Sequence, residues 1–255
     1  PIMALFEQAT EQSKNPGVKM DAPLLADGGY PARLLRIVDL GEQPGTAQFP
    51  TPAYKLSFVF ECLDEFMVDE DGKELEDVPR EFEYEVSYNT DGYMSSKSTI
   101  HKVMTALNGF GKPLQSLLGT ACTISLVQKA TKSDTTKMYN KVTGVMAMRA
   151  KDAERYGPLK MEPFVFSLDS NATKEQFEKL SKRGGQFSQQ AKIKQSLSLH
   201  KDAPQLAAAL GVERPEMPPV AEQESADFTQ SDADLAQVMG GTTTAPEIAE
   251  DDPFA

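Results

Sequence analysis

Three runs of alternating apolar and polar residues, then an amphipathic helix, then two more alternating runs predict a mainly β protein, a five-stranded OB-fold barrel with a helix between strands three and four. Short helical segments follow the last run, and a Pro-, Glu- and Asp-rich tail closes the chain. The element order is that of a small Greek-key barrel whose connecting loops bind oligonucleotides. The chain divides accordingly into an N-terminal arm (1–27), a barrel (28–155), a helical extension packed on the barrel (156–211) and a disordered acidic tail (212–255).

Residues 2–12 carry Met3 and Phe6 at helical spacing, and Asn15-Pro16-Gly17 ends that segment. The first strand runs from Tyr30 to Leu40, where the apolar phase slips between Leu34 and Ile37 and requires a bulge. The second spans Ala53–Leu63, with Tyr54, Leu56, Phe58, Phe60 and Cys62 alternating against Lys55, Ser57, Val59 and Glu61. Such strict alternation assigns these aromatics to a core rather than to ligand stacking. Residues 64–81 read as an acidic loop turning at Asp71-Gly72; the oxygen-ligand spacing of a calcium loop is missing. Phe82, Tyr84, Val86 and Tyr88 form the third strand, with an acidic outer face. Ser95 or Ser96 caps a helix that places Ile100, Val103, Met104 and Leu107 on one side, and Asn108-Gly109 stops it. A short helix over 113–118 leads on.

The last two strands form a hairpin within Thr120–Lys151. Cys122, Ile124 and Leu126 are its apolar face, with Thr123 and Ser125 opposite. In the return strand Val142, Met146 and Met148 read as one face, and Tyr139, Lys141, Thr143 and Arg149 as the other. Lys129, Lys132 and Lys137 surround the tip. Cations beside an aromatic ring suit a polyanion with bases that stack, meaning single-stranded nucleic acid. Lys97, Lys102, Lys55 and Arg33 are candidate extensions of that track.

The net charge of −12 is unevenly spread. Residues 92–160 hold 11 basic and 3 acidic side chains, a net of +8, while 212–255 hold 1 and 11, a net of −10. That asymmetry suits nucleic-acid binding combined with a charged tail. No run reaches a membrane span and no secretory signal is legible at the start, so a soluble cytoplasmic protein without membrane contact is expected. Cys62 and Cys122 lie at apolar strand positions as ordinary buried thiols, His101 lacks a partner at ligand spacing, and no cofactor or metal is expected.

Beyond the barrel, Phe164–Leu168 is a short strand, and Thr173 with Gln176 makes a capping box before Phe177 and Leu180. Gly184-Gly185 breaks that helix, another from about Gln186 carries Phe187, Ile193 and Leu197, and a last one covers Pro204–Leu210. These helices are too short for a core of their own and are expected to pack on the barrel, or on a second copy of the chain as a homodimer. In the tail, 231–239 could gain a turn of helix on binding, and Asp251, Asp252, Pro253 and Phe254 combine charge with an aromatic anchor, as a partner motif or a solubilising end.

Four stretches carry a family resemblance: GGYPARLLRIVDLGEQ (Gly28 to Gln43), FVFECLDEFMVDEDGKE (Phe58 to Glu74), YGPLKMEPFVFSLD (Tyr156 to Asp169) and FEKLSKRGGQFSQQAKIKQSL (Phe177 to Leu197). Across roughly residues 28–211 the chain resembles the single-stranded DNA-binding proteins encoded by tailed bacteriophages. The resemblance implies an OB-fold that coats single strands without sequence preference in phage replication and recombination, in the host cytoplasm. It also implies an acidic tail that contacts polymerase, helicase or primase and competes with DNA for the basic cleft. Asp251 to Phe254 is similar to the DDIPF ending of bacterial counterparts, departing from it in the missing isoleucine and in Ala255 after the phenylalanine.

Two other classes were weighed against a non-catalytic binder. A structural or assembly adaptor would use the same barrel to bind protein, with the lysines as a solvated face. An enzyme lacks any phosphate-cradling glycine loop, serine elbow or paired cysteine or histidine, which leaves a magnesium nuclease on Asp69 to Asp71 as its remaining form.

Overall fold

A computed structural model describes residues 22–131 and 134–214. The sequence readings for residues 2–12, Lys132 and the tail from residue 215 on lie outside these, while Val212, read as the start of the tail, packs against the helical extension. Five long strands, β1 (Gly28–Gln43), β2 (Ala53–Val68), β3 (Glu74–Tyr88), β4 (Ala121–Ala130) and β5 (Met138–Ala147), form a sheet in the order β3-β2-β1-β4-β5. All of these neighbours run antiparallel. A sixth strand, β6 (Phe164–Phe166), pairs parallel with Arg36–Val38 of β1. The sheet is thus six-stranded rather than five-stranded, and mainly antiparallel; the short apolar run at 164–166 joins β1 as a strand of its own. Between β3 and β5 there is no ladder among the described residues, but the Tyr84 hydroxyl of β3 donates to the Thr143 carbonyl of β5 at 3.2 Å.

β1 is the hub. Its N-terminal half pairs with both β2 and β4, and a register shift between Leu34 and Arg36 bends it where the apolar phase slips in sequence. Both Leu34 and Leu35 are consequently buried. Before and after that bend, Ala32, Leu34 and Ile37 face a core made with Phe58, Phe60, Phe82, Val86, Ile124, Leu126 and Val142. Helix α1 (Thr99–Ala106) lies in sequence between β3 and β4 and adds Ile100, Val103 and Met104 to that core. Its cap is Ser98, whose hydroxyl accepts from the His101 N–H, instead of Ser95 or Ser96; Ser95 closes the turn before it by accepting from Ser98. The segment at 113–118 is a 3₁₀ turn over Leu114–Leu117.

The stretch at 64–81 is not a loop. β2 and β3 continue into it, pairing Met67 with Leu75 and Val68 with Glu74, and the turn closes with Asp69 accepting from the N–H groups of Asp71 and Lys73. Met67, buried within this run of carboxylates, pairs with Leu75 across the turn.

Helix α2 (Ala150–Ala153) follows β5, and the extension carries α3 (Lys174–Glu178), α4 (Gln189–Lys194), α5 (Leu199–Asp202) and α6 (Pro204–Leu210). The Thr173 and Gln176 capping box is formed. Phe177, Leu180, Ile193, Leu199 and Leu206 join Val38 and Leu40 in a second core against the outer side of β1. Gly41, at φ +69, admits this packing: a Cβ there would lie 2.3 Å from Ser196 Oγ and 2.6 Å from Leu168 Cδ2. The helix expected from about Gln186 through Leu197 covers only Gln189–Lys194; Phe187 belongs to a separate 3₁₀ turn, Leu197 lies past the helix end, and both are exposed. Among the described residues no helix is long and apolar enough to cross a membrane.

Candidate nucleic-acid interface

The two faces of the sheet differ in what covers them. On the outer face of β1, β2 and β3, Glu61, Glu81, Glu83 and Glu85 stand beside Ser57, and the extension engages nearly all of them. Glu61, 1% exposed, accepts from the backbone N–H groups of Lys160 at 2.8 Å and Met161 at 3.0 Å. Gln189 Nε2 donates to Ser57 Oγ at 3.2 Å and Glu83 Oε1 at 3.3 Å. Lys192 pairs with Glu85, and Arg36 with Glu81. Burial depresses the Lys192 ammonium against that attraction, and neighbouring Glu83 acts the other way. An acidic, occupied face of this kind repels a polyanion.

The outer face of β4 and β5 is open and basic. Lys129 pairs across the ladder with Tyr139, Val127 with Lys141, Ser125 with Gly144 and Thr123 with Met146, so that these side chains share one face. Lys129 and Lys141 are exposed and carry no ion pair among the described residues; Tyr139 is 43% exposed. A polar clasp sets the angle of the hairpin. Asn140 exchanges hydrogen bonds with Leu25 (2.8 and 2.9 Å), and the Gln128 N–H donates to Asp27 at 2.6 Å.

Met146 and Met148 do not share the inward face with Val142. A bulge between the Ser125 and Leu126 pairings makes Thr143 an extra residue, so Val145 takes the inward position and Met146, 52% exposed, turns out. The Thr143 carbonyl freed there is the one that Tyr84 caps.

Beyond Met146 the same face runs into a groove of about 330 Å³ lined by Gly29, Pro31, Thr123, Arg149, Arg155 and Tyr156. Arg155 and Tyr156 were not singled out from sequence; basic-aromatic adjacency after the last strand was the available signal. Arg149 donates to Asp152 at 2.7 Å, and each holds the other ionised, the Asp152 carboxyl below its usual range and the guanidinium above. From Tyr139 to Met146 the strand covers roughly 23 Å at about 3.3 Å per residue.

The remaining sequence candidates lie elsewhere. Lys137 sits in the turn 3.5 Å from Asp134, whose carboxyl is held low by hydrogen bonds from Thr136. Arg33 spends its guanidinium on the carbonyls of Gly119, Ala153, Tyr156 and Gly157, at 3.0 to 3.4 Å, and thereby fixes the segment that walls the groove. Lys55 is half-buried on the covered side, and Lys97 and Lys102 are exposed at α1. Cys62 and Cys122 are free and buried, the Cys122 thiol pushed up to about 12 by desolvation. Among the described residues no cluster of His, Cys, Asp or Glu could hold a metal.

No family model, curated protein or solved structure matches the chain.

Proposed function

We propose that the protein binds single-stranded DNA without sequence preference along the open face of β4 and β5, and does no chemistry on it. The observation that carries this reading is the Lys129, Tyr139, Lys141 cluster on the open face of β4 and β5, continued by the groove at Arg149, Arg155 and Tyr156. Phosphates would be neutralised by the cations and a base would stack on Tyr139. The strand order, the helix between β3 and β4 and the Tyr84 to Thr143 bridge support an OB-type barrel as the scaffold. The resemblance to phage single-strand binders supports roles in replication and recombination.

In this reading the acidic tail competes for the same face and recruits replication proteins. Binding of labelled oligothymidylate, followed by fluorescence anisotropy, should weaken steeply with salt and exceed binding to duplex. Equal affinity for duplex, or no binding at low salt, sinks the proposal. Truncation after Gly211 should tighten binding; unchanged affinity removes the competition and leaves recruitment.

A further inference from the structure

A second cleft, of about 530 Å³, lies between the start of β2, the end of β3 and the approach to α1, with none of the hairpin's residues in its lining. Its volume is in the range of small-ligand clefts, and it is open to solvent on one side. Tyr54 and Tyr88 face each other across the β2–β3 ladder with ring centroids 5.8 Å apart and planes tilted by 57°. The Tyr88 hydroxyl donates to Asp39 Oδ1 at 3.3 Å, which fixes that ring. Tyr93, also lining the cleft, is 66% exposed, yet its backbone is held at both ends: its N–H donates to Asp91 Oδ1 at 2.8 Å and its carbonyl accepts from Asn89 Nδ2 at 3.2 Å. Gly92, at φ +81, makes the turn that presents it.

The charge of the lining selects the occupant. No Lys or Arg lines it, and Asp91 is its one acidic residue. A phosphate is repelled there, and so is the chain's own Asp251-Asp252-Pro253-Phe254 end. An uncharged heteroaromatic ring is not, since it can stack on a tyrosine whose backbone is already ordered. We infer that this cleft is a second base-binding site, in which an unpaired nucleobase of the bound strand inserts against Tyr93 while its sugar-phosphate stays outside. The inference rests on the single-strand-binding reading and adds a stacking site that the hairpin does not contain.

The chain has no Trp, so one introduced residue reports on one place. Full-length Tyr93→Trp and Tyr139→Trp proteins are titrated with oligothymidylate while tryptophan emission and the anisotropy of a labelled strand are read together. The inference expects emission of Tyr93→Trp to be quenched with the midpoint seen in anisotropy. It also expects Tyr93→Ala, with an unchanged melting curve, to weaken binding by about five- to 150-fold. Anisotropy change and quenching at Tyr139→Trp with silence at Tyr93→Trp overturn the second site and leave the hairpin reading standing. No anisotropy change with any variant or with the unaltered protein overturns both. Quenching of Tyr93→Trp by a synthetic EDDPFA peptide but not by DNA overturns the nucleobase assignment.

Discussion

Tyr139 stands directly across the β4–β5 ladder from Lys129, so a ring face and an ammonium group project side by side from one surface of the hairpin. Neighbours at that spacing can serve consecutive parts of one nucleotide, the base and its phosphate.

Replacing the ring isolates the stacking contribution. Tyr139→Ala should lose about 1 to 3 kcal/mol of oligothymidylate affinity. Tyr139→Phe should keep nearly all of it, because the π-face is retained. Anisotropy titrations at one fixed salt concentration distinguish the two. An unchanged melting temperature in both confirms that an exposed residue was altered.

The lysines act through counterion release, so their signature is a slope. Each phosphate neutralised on a single strand contributes roughly 0.7 to the slope of log affinity against log salt. Lys129→Ala with Lys141→Ala together should flatten it by about 1.4. The control Lys97→Ala, at α1, should leave it unchanged if the track follows the hairpin face.

Arg33 holds the carbonyls of Gly119, Ala153, Tyr156 and Gly157, and each is left short of a donor when the side chain is cut back. Arg33→Ala should therefore cost about 2 to 4 kcal/mol of stability, as several hydrogen bonds worth roughly 1 kcal/mol each are lost. Urea denaturation measures it. Arg33→Lys, with one ammonium in place of a planar fork, should recover only part.

Desolvation raises the Asp39 carboxyl above its ordinary value of 3.8, against hydrogen bonds from Gly41 and Tyr88. The folded state therefore holds the proton to higher pH than the unfolded chain, and the stability this provides at low pH is lost as pH rises through the folded-state value. Asp39→Asn keeps an acceptor for the Gly41 N–H and removes the titration. Its stability should decline less than the parent's as pH rises above the ordinary carboxyl value of 3.8. Denaturation at several pH values gives the answer, and parallel curves would refute it.

How much of this was legible depended on whether the cause was local. The β1 bulge could be read because two buried leucines, Leu34 and Leu35, break an alternation visible within a few residues. The inward set Cys122, Ile124 and Leu126 was equally plain, and Phe58 and Phe60 went to the core by the same rule. The bulge at Thr143 was hidden because Met146 and Met148 are apolar and continue a false phase. What opposes them is a partner strand, not a neighbour in sequence. The strands at 64–81 were concealed by like charges, and the occupied acidic face by contacts such as Glu61 with Lys160, 99 residues apart. For the candidate interface, alternation put Tyr139 and Lys141 on one face, but Lys129, read as part of the basic tip, lies in β4 opposite Tyr139, and the engagement of Arg33 and the groove at Arg155 needed the tertiary structure.

The three ladders of β1 impose an order in time. Its partners are drawn from 53–68, 121–130 and 164–166, so a ribosome that has finished Gln43 must add 123 more residues before β6 exists. At about 5 to 20 residues per second that interval is roughly 6 to 25 s. Until 53–68 follow, β1 has no partner strand, and the groups of Arg36–Val38 that β6 will take stay open to the end of the interval, where neighbouring nascent copies can capture them. Assembly of the surface at 129–156 on β1 thus leaves one open edge, at Arg36–Val38, to be closed last by a three-residue strand.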